Sequence, residues 1–127
     1  MSEITEGPGF AVGSLDAMGE GYGFRKVRKE LGVTAFGVNA IVIPPGFTSN
    51  YHLHEKQEEL YICLEGPMTI EFDGEGVHTL EPGDMARVSP EVARRTGNPG
   101  PGDAVYVCVG GKDGYVGRDG VLRDEDS

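Results

Sequence analysis

Residues 46–66 read GFTSNYHLHEKQEELYICLEG, which places His52 and His54 one residue apart. Alternate side chains of a β-strand leave on the same face, so a His-x-His pair on a strand aims two imidazoles at one point. A carboxylate that follows a short loop can complete a metal site at that point. The chain has 3 histidines in 127 residues, so this arrangement uses most of them.

The sequence around this stretch consists of short β-like runs separated by turn residues. The chain has 21 glycines and 8 prolines, which supply the turns. No long helical period or internal repeat is present. The pattern is typical of an all-β sandwich or barrel. The runs predicted as strands are 24–28, 34–43, 51–54, 60–64, 68–72, 77–80, 85–88 and 104–109.

The length of the chain fits a single domain. Residues 1–20 are polar and Gly-rich and are predicted to form an N-terminal arm. Residues 21–117 contain the predicted strands and form the β domain. Residues 118–127 carry four acidic side chains and are predicted to form an acidic, solvated C-terminal tail.

Charge and composition exclude several classes of partner. The chain has 11 lysines and arginines against 21 aspartates and glutamates, which gives a formal net charge of −10. This charge argues against nucleic acid and anionic membrane surfaces as partners. No apolar run reaches about 18 residues, so no membrane span is predicted. The first four residues, MSEI, lack the basic and apolar regions of a signal peptide, and we expect a cytoplasmic protein. Cys63 and Cys108 are then expected to be reduced thiols, although the sequence leaves a disulfide between them open.

The spacing of these residues resembles the two motifs of the cupin superfamily, over roughly residues 34–110. The first motif is matched completely, by Gly46, His52, His54, Glu59 and Gly66. The second is matched in part, by Gly76, Pro82-Gly83-Asp84 and Asn98. The resemblance implies a small cupin jelly-roll β-barrel. Where cupins usually place a third histidine, this chain has Arg94.

The resemblance also implies one divalent metal ion, held by His52, His54 and Glu59. Imidazole and carboxylate suit Fe, Mn, Zn, Ni or Cu. Glu58 is the alternative carboxylate because the gap in the motif varies by one, but Glu59 shares the strand phase of Tyr61. Arg94 cannot act as a ligand because a guanidinium has no lone pair to donate. The predicted site therefore has three protein ligands and open metal positions.

Open positions beside two histidines and a carboxylate are the arrangement of non-haem oxygenases. The leading prediction is an oxygenase-like enzyme acting on a small molecule, with Glu59, Tyr61 and Arg94 as its catalytic residues. Arg94 either turns inward to hold an anionic substrate or pairs with an acid at the surface. An inward Arg94 needs an anion or a glutamate between it and the metal.

Two alternatives remain open at this point. One is a non-catalytic cupin that binds or senses a sugar or another small molecule, since Arg94 replaces a usual ligand. The other is a metal-dependent isomerase or lyase in which Glu58 or Tyr61 handles protons. The resemblance also implies a homodimer, and the segment 24–27 is a candidate for pairing with a partner's sheet edge.

Overall fold

The computed structural model describes residues 3–123 and contains almost only β-structure. Asp124, Glu125 and Asp126 of the predicted acidic tail lie outside the described residues. In chain order the strands are β1 (Thr5–Gly7), β2 (Phe10–Val12), β3 (Gly23–Arg25), β4 (Gly37–Ile43), β5 (His52–His54), β6 (Glu58–Glu65), β7 (Met68–Phe72), β8 (Gly76–Leu80), β9 (Met85–Val88), β10 (Arg94–Gly97), β11 (Ala104–Gly111) and β12 (Gly120–Leu122). A 3-10 turn (Leu15–Met18) and the short helix α1 (Val27–Leu31) lie on either side of β3.

Ten of these strands form two five-stranded antiparallel sheets. One sheet has the order β3-β4-β11-β6-β9 and the other the order β12-β5-β10-β7-β8, while β1 and β2 form a separate hairpin. Consecutive strands β5 and β6 therefore belong to different sheets, and residues 55–57 cross from one sheet to the other. This crossing is what brings the His-x-His pair of β5 near the first carboxylates of β6.

The core lies between the two sheets and draws on both. Its buried side chains include Ile41 and Tyr106 from the first sheet and Met68 and Ile70 from the second. In β6, exposed and buried side chains alternate from Glu58 to Tyr61, so that Glu59 and Tyr61 point inward. The all-β architecture predicted from the sequence is confirmed, because the alternating runs bury one face each.

Four elements differ from the sequence prediction. The strand predicted over residues 24–28 ends at Arg25, and the helix α1 begins at Val27. Strand β10 was not predicted because its sequence, RRTG, is polar, yet Arg94 and Thr96 point inward and find partners there. Residues 5–7 and 10–12, within the predicted arm, pair as a hairpin. Residues 120–122, within the predicted solvated tail, pair along β5 as strand β12, which an acidic composition does not indicate. The domain boundaries themselves stay predictions.

None of the helices among residues 3–123 is long and apolar enough to span a membrane.

Candidate metal centre

Three potential ligand atoms converge at the crossing between β5 and β6. One ligand atom each from His52, His54 and Glu59 lies within 4.8 Å of the other two. The Nε2 atoms of His52 and His54 are 3.9 Å and 3.3 Å from Glu59 Oε1. The sequence prediction that these three side chains meet is confirmed, because residues 52 and 54 share one strand face and residue 59 points inward near the start of β6.

The alternative carboxylate, Glu58, points away from this centre. Its side chain is exposed, and its Oε2 accepts a hydrogen bond from Arg87 Nη1 at 2.9 Å. The strand phase that favours Glu59 over Glu58 therefore agrees with the observed alternation of β6.

Glu59 is buried within a dense set of donors. Its Oε1 accepts hydrogen bonds from Arg94 Nη2 at 2.6 Å and Tyr61 Oη at 2.8 Å, and its Oε2 accepts one from Gln57 Nε2 at 3.1 Å. Burial by itself raises the pKa of the Glu59 carboxyl, but the adjacent side chains of His52, His54 and Arg94 together lower that pKa far below its ordinary value. Glu59 is therefore ionised, as a metal ligand must be.

Arg94 is fully buried and points inward, with Glu59 between it and the two histidines. Its Nη1 donates to the Val92 carbonyl at 2.8 Å, and its Nε donates to Tyr61 Oη at 3.2 Å. These contacts satisfy the guanidinium, which is the condition for burying a charge. The predicted glutamate partner for an inward arginine is present, and a surface position for Arg94 is wrong.

Asp119 is the residue of this centre that the sequence did not reveal. Its Oδ1 lies 2.8 Å from His54 Nδ1, and its Oδ2 accepts hydrogen bonds from the backbone N–H groups of Lys56 and Gln57 at 2.8 Å and 2.9 Å. Burial raises the pKa of Asp119, but these backbone donors and His54 lower it below its usual range. Asp119 thus fixes both the ring of His54 and the loop that leads to Glu59.

The donor set fits a divalent metal ion. With its Nδ1–H directed at Asp119, His54 keeps the lone pair of Nε2 for a metal, which is the usual arrangement around ligating histidines. Among the described residues, His54 Nε2 is one of two buried side-chain N or O atoms without a hydrogen-bond partner. A metal ion bound by His52, His54 and Glu59 would supply that partner.

The centre opens into a cavity of about 800 Å³, a volume typical of small-molecule sites. The inner lining includes Gln57, Tyr61, Tyr106 and Cys108, together with the three candidate ligands. Tyr61, one of the predicted catalytic residues, lies on this wall, whereas Tyr106 and Cys108 were not predicted as site residues. Burial raises the pKa of Tyr106 to about 12 and keeps it a neutral hydroxyl.

The remaining candidates lie away from this cavity. Arg95 pairs with Glu71 on the other side of β10, and His78 is exposed. Cys63 packs in the core, and both Cys63 and Cys108 are free thiols. Asn98, the matched asparagine of the second motif, donates through its side-chain amide to the carbonyls of Ile43 and Gly102 and accepts from the backbone N–H of Gly100.

The two antiparallel sheets and the His-His-Glu centre between them define a small jelly-roll protein with a candidate metal site. The sequence model of the cupin domain matches residues 39–110, and the chain belongs to this family. A comparison with curated proteins gave no match.

Solved structures with the same fold agree with this assignment. A sugar phosphate isomerase from a cupin superfamily of Silicibacter pomeroyi is 27% identical, with a TM-score of 0.65 over 86% of this chain and 68% of that one. A structure from Acidithiobacillus ferrooxidans, provisionally described as a sugar phosphate isomerase, is also 27% identical, with a TM-score of 0.62 over 68% of this chain. This chain spans only 56% of that protein's length.

A third structure supports the fold alone. A conserved protein of Klebsiella pneumoniae with a double-stranded β-helix domain has a TM-score of 0.72 at 17% identity, over 90% of this chain and 97% of that one. The jelly-roll architecture predicted from the sequence is thereby confirmed.

Proposed function

We propose that the protein is a metal-dependent enzyme of the oxygenase type that acts on a small molecule in the cavity. The observation that carries the proposal is the ligand set itself: three donors converge on one side of the cavity, and Arg94, which replaces the third histidine of the usual cupin motif, donates to Glu59. Two histidines and one carboxylate with open positions are the ligand set of non-haem iron oxygenases. Bound there, a divalent metal would act as a Lewis acid and as a template for substrate oxygens.

Arg94 and Tyr61 act in this proposal by positioning Glu59. Both donate to Glu59 Oε1, which fixes the carboxylate against the two imidazoles. Burial raises the pKa of Tyr61 well above its ordinary value, so its hydroxyl stays protonated and serves as a hydrogen-bond donor. Of the pair, only Tyr61 lines the cavity among the described residues, so Tyr61 is also placed to contact a bound molecule.

A metal-dependent isomerase is the second candidate. It is favoured by the 27% identity to the Silicibacter pomeroyi sugar phosphate isomerase, which extends over most of this chain. In this case Glu59 and the two histidines hold the metal as before. Tyr61 again acts by positioning Glu59, because its one hydroxyl hydrogen is donated to Glu59 Oε1 and its raised pKa disfavours a role as proton acceptor.

Oxygen consumption separates the two candidates. Protein loaded with Fe(II), Mn(II), Ni(II) or Zn(II) is incubated with panels of small oxyacids and sugar phosphates while dissolved oxygen and products are followed. Oxygen uptake coupled to product formation supports the oxygenase. Product formation at equal rates with and without oxygen supports the isomerase and contradicts the oxygenase. Thermal stabilisation of the metal-free protein by a compound that is never turned over contradicts both and supports a binding module.

We also propose a homodimer in which β3 pairs with an edge of a second copy. Strand β3 is an edge strand of its sheet among the described residues, and the Phe24 side chain is 64% exposed. Light scattering after size exclusion should give twice the chain mass, and a monomer at micromolar concentration would contradict the proposal. A cytoplasmic location and the lack of nucleic-acid and membrane partners stay predictions from the sequence.

A further inference from the structure

The charges that line the cavity are the reverse of those on the whole chain. Acidic residues outnumber basic ones by 21 to 11 overall. Four of the basic residues line the cavity, and among the described residues Glu59 is its only carboxylate. These four residues, Lys26, Arg28, Lys29 and Arg118, are called the basic cluster below. A random distribution would have placed more acids than bases on this surface.

The basic cluster is free to receive an anion. Within residues 3–123, none of its four side chains takes part in a salt bridge, whereas Arg87, Arg94, Arg95 and Arg123 all do. Arg28 is held in place by stacking over the ring of Tyr115, with the guanidinium carbon 4.0 Å from the ring centroid. Tyr115 lines the same cavity, so this contact keeps one cation of the cluster at the cavity wall.

The inner end of the cavity adds to the positive field. The carboxylate of Glu59 is already opposed by the guanidinium of Arg94 at 2.6 Å. A divalent ion held by His52, His54 and Glu59 would therefore keep much of its charge uncompensated by its own ligands. Clefts lined by one sign of charge concentrate counter-ions, and Arg and Lys are the residues that bind carboxylate and phosphate groups.

We propose that the basic cluster binds the anionic group, a phosphate or a carboxylate, of the molecule that occupies the cavity. The inference rests on the proposed function for the identity of the cavity as the substrate site. It deepens that function by naming an oxyanion-bearing small molecule as the substrate class. Recognition by Lys26, Arg28, Lys29 and Arg118 is separate from metal binding, because none of them is a candidate ligand.

The test uses pyrophosphate and citrate as phosphate and carboxylate probes. Each is titrated calorimetrically into the full chain after exhaustive removal of metal, so that binding at the metal does not contribute. We expect saturable binding of at least one probe, weakened by raising the salt to about 0.15 M because exposed charges are then screened. The double variant Lys26→Gln/Lys29→Gln should bind about fivefold or more weakly, since each exposed contact contributes up to about 1 kcal/mol.

Lys56→Gln/Lys112→Gln is the matched control. Both lysines are exposed and neither lines the cavity, so this pair changes the net charge equally and should leave affinity within about twofold. Equal loss in both double variants, or no binding of either probe, would overturn the inference. A wild-type protein that holds metal but binds neither anion would overturn the inference alone. One that binds the anions through the cluster but holds no metal would overturn only the proposed function.

Discussion

Asp119 Oδ1 lies 2.8 Å from His54 Nδ1, although the two residues are 65 positions apart in the chain. The contact exists because β12, which begins at Gly120, pairs along β5 with Gly120 opposite His54. The same carboxylate receives the backbone N–H groups of Lys56 and Gln57, at the turn that carries the chain towards Glu59. The C-terminal segment therefore takes part in shaping the candidate metal centre.

Replacing Asp119 with Asn should weaken metal binding while leaving the ligands in place. The amide cannot supply the negative charge that fixes the Nδ1–H form of His54, and loss of such a partner typically costs about 10- to 100-fold in metal affinity. Calorimetric titration of the metal-free protein with Zn(II) measures the change. The matched control is Asp113→Asn, an exposed aspartate at positive φ, where Asn is also accommodated. Equal affinities for wild type and the Asp119→Asn variant would show that Asp119 does not tune the site.

Removing Arg94 should destabilise the metal-free protein strongly. Arg94→Met leaves the buried Glu59 carboxylate without its closest cation, and breaking a buried pair in this way costs about 3–5 kcal/mol in the free energy of unfolding. Arg95→Met is the control on the same strand, since the Arg95–Glu71 pair is partly exposed and should contribute about 1 kcal/mol or less. Urea denaturation followed by circular dichroism gives both values. A smaller loss for Arg94→Met than for Arg95→Met would contradict this account of the centre.

The stability that Glu59 provides should disappear in acid. Burial raises the pKa of its carboxyl, but the adjacent side chains of His52, His54 and Arg94 lower it far below the value of about 4.3 expected for an unfolded chain. A group whose pKa is lowered by folding stabilises the protein above its unfolded pKa, and this contribution is lost as the pH falls towards its folded pKa. The difference in unfolding free energy between metal-free wild type and Glu59→Gln should therefore shrink from about pH 5 to about pH 3.

Glu58→Gln is the control for this pH series. Glu58 is exposed, and its variant should follow the wild-type curve throughout. A gap between wild type and Glu59→Gln that stays constant over the whole acid range would mean that Glu59 is not held as an anion by its donors.

Both cysteines should be unreactive in the native protein. Cys63 is fully buried, and burial raises the pKa of Cys108 well above its ordinary value, so neither forms the thiolate that attacks a disulfide reagent. Ellman's reagent should detect no thiol in the time needed for complete reaction of the guanidinium-unfolded chain, where both should react. Rapid labelling of the native chain would contradict the burial of the two thiols. Failure of the unfolded chain to react would contradict their free state.

Much of this molecule could be predicted from short-range pattern. Strands β4, β6, β7 and β11 contain apolar runs, and they were predicted with small errors at their ends. The convergence of His52, His54 and Glu59 follows from the period of two along a strand and a short connecting loop. These features depend on residues that are close together in the chain, so the sequence alone is enough to predict them.

The features that could not be predicted depend on partners distant in the chain. Asp119 lies in an acid-rich segment that has the composition of a solvated tail, and only pairing with β5 gives it a role. Strand β10 reads as polar, and it is buried because Glu59 and Tyr106 satisfy Arg94 and Thr96. The basic cluster joins residues 26–29 to Arg118, and no local motif links these segments.

Metal content tests the central claim most directly. Four proteins are purified without added metal: wild type, His52→Ala, Glu59→Gln and Glu58→Gln. Elemental mass spectrometry and the protein concentration then give the number of metal ions per chain. We predict a single divalent ion per chain in wild type and Glu58→Gln, and its loss in His52→Ala and Glu59→Gln, because only His52 and Glu59 of these residues face the centre. Metal retained in full by His52→Ala and Glu59→Gln, or lost in Glu58→Gln, would contradict the assignment of the site.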